Sequence, residues 1–324
     1  VSPVDLAIGV AGIAMVLYAV LGGADFGGGV WDLAATGPRA QAQRDAITHA
    51  IGPVWEANHV WLIYIIVLSF TCFPAAYADI ALGLYAPLSF ALVGIVLRGA
   101  AFVFRNYATM SRPLMRSWEV VFGVASLLAP FFLGDAIGSL ATGSYAWLSP
   151  FALAVGLFAV TVCAQTAAVF ILREIDDDAV RADFRRRAVR ATVAVWIVGL
   201  IPAVLTETML PQVAATLHSP AAIAAVVVAL VAGIAVIACV LTQRDALARA
   251  AVAVESAAIL GGWFGGQAPY LIPNRYTFAQ AASSDAMIVA FLCATAAGFA
   301  VLIPSLVLLF RVFKLPATEA GEGR

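Results

Sequence analysis

Residues 4–32 read VDLAIGVAGIAMVLYAVLGGADFGGGVWD. From Leu6 to Ala24 the stretch carries no charge, and about 20 apolar residues are what an α-helix needs to cross a bilayer. Two carboxylates, Asp25 and Asp32, then appear among Gly22, Gly23, Gly27, Gly28 and Gly29. The first part asks for lipid as its solvent. The second part places acids where lipid makes them expensive.

The rest of the chain repeats the first demand. Of its 324 residues 63% are hydrophobic and 11% charged, with a mean hydropathy of +0.98. Soluble domains carry about 25% charged residues, so this is an all-α integral membrane protein. The net charge of −1 argues against nucleic acid as a partner. Cys72, Cys163, Cys239 and Cys293 lie far apart in apolar runs. They read as small packing residues, with neither metal-ligand spacing nor a disulfide framework. The N-terminus lacks the basic region and cleavage site of a signal peptide, so the first apolar run is expected to be retained.

Runs long enough to span fall near 4–24, 54–75, 78–104, 118–141, 148–172, 188–210, 219–241, 246–270 and 286–312. They are continuous rather than alternating, which excludes strands. Nine spans in one transmembrane domain put the termini on opposite sides. Of the 18 Lys and Arg residues, all but Arg98 and Arg275 then fall on one side. That side is the cytoplasm, so the N-terminus is outside and the C-terminus inside, with 311–324 as a cytoplasmic tail. The prokaryotic cytoplasmic membrane is the expected location. REIDDDAVRADFRRR (173–187) is the most charged stretch. It reads as a solvated helical connector, or alternatively as a binding loop.

Ionisable residues within spans are functional candidates by default. Four cluster toward the cytoplasmic side. Asp25 follows the first span, Glu56 and His59 open the second in GPVWEANHVWLI (52–63), and Arg98 lies in the third. Glu56 and His59 are three residues apart and share a helix face. A carboxylate and an imidazole on one face can pass a proton, since the imidazole titrates near neutral pH and the carboxylate about two units lower. Asn58 adds a neutral hydrogen-bonding group, and Trp55 and Trp61 suit interfacial anchoring or packing. The bland alternative is an ion pair among Asp25, Glu56 and Arg98 that locks three helices. Asp32 reads as interfacial and ordinary.

The glycines have two readings. Gly23 with Gly27, or Ala24 with Gly28, give small faces for close helix approach. Alternatively the run breaks the helix, as in secondary transporters, and Gly261–Gly266 would be a second broken element. Glu255 and Gln267 could line a polar cavity. Asp135 and Glu207 lie near outer span ends, where solvation explains them. No complete catalytic or metal site is legible in the chain.

GGADFGGGVWDL followed by GPVWEANHVWLI resembles subunit II of the cytochrome bd-type quinol oxidases. FPAAYA (73–78), Arg98 in the third span and GGQAPYLIPNRYTFAQAASSDAM (265–287) extend the resemblance to the last span. The resemblance implies two four-helix bundles plus a peripheral helix, in a short, apolar branch of the family. It implies a haem-bearing subunit I as partner, with b- and d-type haems held there and none ligated by this chain. In some members it also implies a bound quinone and small single-span accessory subunits. The complex takes electrons from quinol and reduces dioxygen to water with cytoplasmic protons. Asp25 matches the second acid of the family's usual motif, while Gly22 replaces the first. Glu56 stands for a common aspartate, Asn58 matches an asparagine, and His59 replaces a glutamine. The expectation is a scaffold for the haem subunit with a proton path through Asp25, Glu56 and His59, tuned by Arg98. The alternatives are a stand-alone secondary transporter and a purely structural subunit.

Overall fold

A computed structural model describes residues 2–107, 111–210, 214–215 and 217–314. Within these, side chains are described except at 51–57, 106–107, 112–113, 306 and 309–314. The chain is a row of long helices: α1 (Pro3–Leu33), α2 (Ala40–Cys72), α3 (Pro74–Gly83), α4 (Tyr85–Tyr107), α5 (Arg112–Thr142), α6 (Pro150–Ile171), α7 (Asp178–Met209), α8 (Pro220–Leu241) and α9 (Asp245–Gln267). A small hairpin, β1 (Tyr270–Ile272) and β2 (Tyr276–Thr277), leads through α10 (Phe278–Ala281) to α11 (Asp285–Lys314).

Local chemistry sets the helix starts. Ser2 and Asp5 form a capping box ahead of α1, with Pro3 in its first turn. Ser149 and Ser219, each followed by proline, cap α6 and α8 with hydroxyls that accept from the amides of Ala152 and Ala222. The Asp177 carboxylate accepts from the amides of Ala179 and Val180 to start α7.

Among the described residues eight helices are long and apolar enough to cross a membrane. The count rises to nine if Asn58–Cys72 and Pro74–Gly83, bent by 119° at their junction, form one span. Ile197, Leu200, Val231 and Val301 are each at least 60% exposed, a surface suited to lipid and hostile to water. The protein is thus multi-spanning and all-α in its core.

The bend differs from the sequence reading, which joined 78–83 to the third span. Phe73 leaves helical geometry ahead of Pro74, as residues before proline are biased to do. The helix begun at Pro74 turns back across the end of α2. The second helix also begins earlier than the apolar run, at Ala40, with 40–53 continuing it ahead of the span.

The glycine-broken reading is overturned. α1 runs unbroken through Gly22–Gly29, and α9 through Gly261–Gly266. In α1 the glycines serve close approach. A Cβ on Gly27 would lie 1.9 Å from the Cys163 carbonyl oxygen of α6, and one on Gly29 2.1 Å from Ser126 Oγ of α5. Gly23 packs on Thr166, and Gly22 makes room for Asn58 of α2. α1 is therefore a hub against α2, α5 and α6, while α4 packs on α5, and α6, α7, α8 and α9 pack on one another.

On the opposite side from the basic loops, three segments meet. Arg275 of the hairpin donates from Nη1 to both oxygens of Asp79 in α3, at 3.0 and 2.8 Å. Tyr145, in the α5–α6 connection, donates its hydroxyl to Asp79 at 3.0 Å. Its ring lies under the Arg275 guanidinium, 4.9 Å from the centroid. Gly83 leaves space for that ring, since a Cβ there would lie 2.5 Å from it.

Candidate functional site

The polar centre is built on α1. Tyr18, Asp25 and Asp32 follow one another at seven-residue intervals, which is two helical turns or roughly 10.5 Å, so they share a face. α4 answers with Arg98 and Arg105, also seven apart. The result is two parallel rungs. Arg98 Nη2 lies 2.7 Å from Asp25 Oδ1, with the two side chains 1% and 0% exposed. Arg105 grips Asp32 with both terminal nitrogens, at 3.1 and 3.3 Å.

The arginines reach α1 across α5, and α5 is fitted to let them pass. Ser126 Oγ accepts from Arg98 Nε at 3.0 Å and donates to the Phe122 carbonyl at 2.7 Å. Both guanidinium carbons approach the same Phe122 ring, at 4.9 and 4.8 Å from its centroid, a favourable cation–π arrangement. Arg98 Nη2 also donates to the Asp25 backbone carbonyl at 2.9 Å. A buried ion pair persists only when such additional bonds offset the loss of water.

Asp25 is asymmetric. Oδ1 is committed to Arg98, while Oδ2 faces α2, where Asn58 Nδ2 makes a long approach of 3.5 Å. His59 lies close enough to act electrostatically on Asp25. Two buried polar atoms in this region, Tyr18 Oη and Asn58 Oδ1, have no hydrogen-bond partner among the described residues. Tyr18 also interacts electrostatically with Asp25 and Arg98.

The structure therefore brings Asp25, Arg98, Asn58 and His59 together. The side chains of Trp55 and Glu56 lie outside the described residues, although both positions are in α2. Trp61 stacks on Phe299 of α11 at 5.7 Å, so it packs within the chain. Glu255 and Gln267 do not meet. Glu255 accepts from Gln165 at 2.6 Å, whereas Gln267 donates to the Leu271 carbonyl at the hairpin.

Two sequence readings need correction. Asp32 is not an ordinary interfacial acid, because it is buried and paired with Arg105. Asp135 is not solvated: it is 0% exposed, and neither carboxyl oxygen has a partner among the described residues. Glu207, by contrast, is half exposed beside His218 at 2.9 Å. Sequence reasoning missed Tyr18 and Ser126. The seven-residue spacing of 18, 25 and 32 against 98 and 105 was the available signal for the first. Nothing marks Ser126 among the other serines.

Between α2 and α11 lies an open apolar groove of about 490 Å³, lined in part by Trp61, Tyr64, Phe291 and Phe299. The Tyr64 and Thr295 hydroxyls lie 3.1 Å apart in its lining. Among the described residues no group of three or more His, Cys, Asp and Glu side chains converges on a metal position. Their cysteines are all unpaired.

Comparison with known proteins follows the same line. Residues 4–313 match the family described as cytochrome bd terminal oxidase subunit II. Cytochrome bd ubiquinol oxidase subunit 2 of Bacillus subtilis (strain 168) is 34% identical over 103 residues, 32% of this chain and 30% of that protein. Cytochrome bd-I ubiquinol oxidase subunit 2 of Escherichia coli (strain K12) is 28% identical over 132 residues, 41% of this chain and 34% of that one. The matched stretches span about a third of these curated relatives. A chain in the structure of bd oxidase from Geobacillus thermodenitrificans superposes with a TM-score of 0.81. It covers 96% of this chain and 98% of its own length at 22% identity, a likeness of fold.

Proposed function

This chain belongs to the cytochrome bd terminal oxidase subunit II family, and from that premise we propose that it is the second subunit of a membrane quinol oxidase. Its partner is a haem-bearing subunit I, with small single-span subunits completing the assembly. The b- and d-type haems of that partner supply the electron-transfer and oxygen chemistry. This chain scaffolds the partner and delivers protons from the cytoplasm.

The expected topology has the N-terminus outside, and the basic side-chain distribution supports it. The packing pattern supports a first bundle of α1, α2, α4 and α5 and a second of α6 to α9. α11, largely open to lipid and seated beside α1 and α2, suits the peripheral position. The aromatic groove on α11 suits an isoprenoid quinone tail.

The proton reading rests on the asymmetry of Asp25. A proton arriving from the cytoplasmic end passes by way of Glu56 and His59 to Oδ2. Arg98 keeps Oδ1 engaged throughout, so uptake and release both occur at Oδ2. The observation that carries this is the fully buried Asp25, with one oxygen on Arg98 and the other turned to the Asn58–His59 face of α2. Asp25→Asn and Glu56→Gln are expected to slow oxygen consumption by the purified complex several-fold with haem content unchanged. Wild-type turnover in both variants would reject the proton role.

A purely structural subunit is the second reading, and the closed Asp25–Arg98 pair favours it. Under that reading Arg98→Gln lowers the yield of assembled complex, and the complex that does assemble turns over normally. The transporter reading loses its premise, because neither glycine-rich helix is broken.

A further inference from the structure

We propose that Glu255, Gln165 and Trp196 form a proton- and water-binding site in the slot over Gly233, separate from the Asp25–Arg98 pair. Glu255 of α9 is 2% exposed. Its Oε2 accepts from Gln165 Nε2 of α6 at 2.6 Å. That same nitrogen lies 3.2 Å from Thr192 Oγ1 of α7, whose hydroxyl donates to the Ala188 carbonyl.

The described groups facing the carboxyl are neutral. α6 presents Gln165, α7 presents Thr192 and Trp196, and α8 presents the bare Gly233. Ser256 on α9 spends its hydroxyl on the Val252 carbonyl. α1 also packs on α9, and among the described residues the side-chain hydrogen bond to Glu255 comes from Gln165. A buried carboxylate without a counter-ion is strongly disfavoured, so the group holds a proton.

That proton needs an acceptor. A Cβ on Gly233 would lie 2.8 Å from both Glu255 Oε1 and Trp196 Nε1. The two atoms therefore flank one slot and are no farther apart than twice that distance. Trp196 Nε1 and Gln165 Oε1 are buried with no hydrogen-bond partner among the described residues. One water bordering the slot accepts from the indole N–H and bonds Oε1, two of the two to four polar partners a buried water requires. A metal cation does not suit the slot, because an N–H donor points into it.

The site is independent of the proton path proposed above, and its test is separate. In the purified complex, infrared difference spectra of wild type against Glu255→Gln are expected to show the loss of one carbonyl band of a protonated carboxylic acid. Gly233→Ala fills the slot and shifts that band, while Asp25→Asn leaves it in place. If Glu255→Gln does not assemble, Glu255→Asp serves, with a displaced band expected. A carboxylic-acid region unchanged by the Glu255 variant, or a band indifferent to Gly233→Ala, overturns the proposal. Asp25→Asn turnover judges the proton path through Asp25, and haem in the purified complex judges the oxidase reading, whatever this band does.

Discussion

Arg98 and Arg105 make the same contact in two environments. Arg98 is sealed, whereas Arg105 is 12% exposed beside an Asp32 that is 2% exposed. Removing one partner of a buried pair leaves a charge with neither water nor counter-ion, at about 3–5 kcal/mol. Arg98→Gln is therefore expected to lower thermal stability of the complex by about that amount. Arg105→Gln should cost less, because water reaches its end of the helix. The double variant Asp25→Asn/Arg98→Gln should recover part of the loss; a double-mutant cycle with no coupling would refute the pairing. The acids and Arg98 were legible in the sequence as charges in the wrong solvent. Their pairing was half legible. Asp32 was read as ordinary because it borders the aqueous side, and its partner Arg105 was counted only as a topology marker. A charge at a helix end carries no mark of whether a neighbour or water receives it.

At the scale of the helix, glycine is ambiguous by nature. It loosens a helix and also lets another backbone come near. The sequence could not choose for Gly22–Gly29, because the choice belongs to the residues opposite. Gly27 faces the Cys163 carbonyl with no room for a methyl, while Gly12 has nothing within 4 Å. Gly27→Ala should separate α1 from α6 and cost about 3 kcal/mol or more, the upper end of overpacking. Gly12→Ala should be neutral or stabilising by about 0.5–1 kcal/mol. Thermal unfolding of the two variants in detergent checks the contrast, and equal effects would contradict the hub role of α1. Span number followed from apolar run length and the placement of Lys and Arg. The turn at Phe73 was hidden because α3 is itself apolar, so hydropathy runs across it without interruption.

Across the whole molecule, the Asp79–Tyr145–Arg275 contact joins segments that share no helix. Burial, with help from the Asp79 carboxylate, pushes the Tyr145 phenol up to about 12 from its ordinary 10. A phenol held protonated in the folded state stabilises below pH 10, and that contribution fades as pH rises from 10 to 12. Tyr145→Phe should remove this alkaline decline from the pH profile of unfolding, and an unchanged profile would count against the contact. For the complex, haem absorption should accompany the affinity-purified assembly and be missing from this chain purified alone. Haem bands in the isolated chain would refute the assignment of the haems to the partner. The Asp79–Arg275 bond also has a meaning in time. The two residues are separated by 196 positions. At roughly 5–20 residues per second of synthesis, the carboxylate waits about 10–40 s for its mate. During that interval Asp79 has Tyr145 as its partner once residue 145 has been made, and a chain cut short before Arg275 never closes the contact. The Asp79–Arg275 bond thus forms only in a chain synthesised past its hairpin.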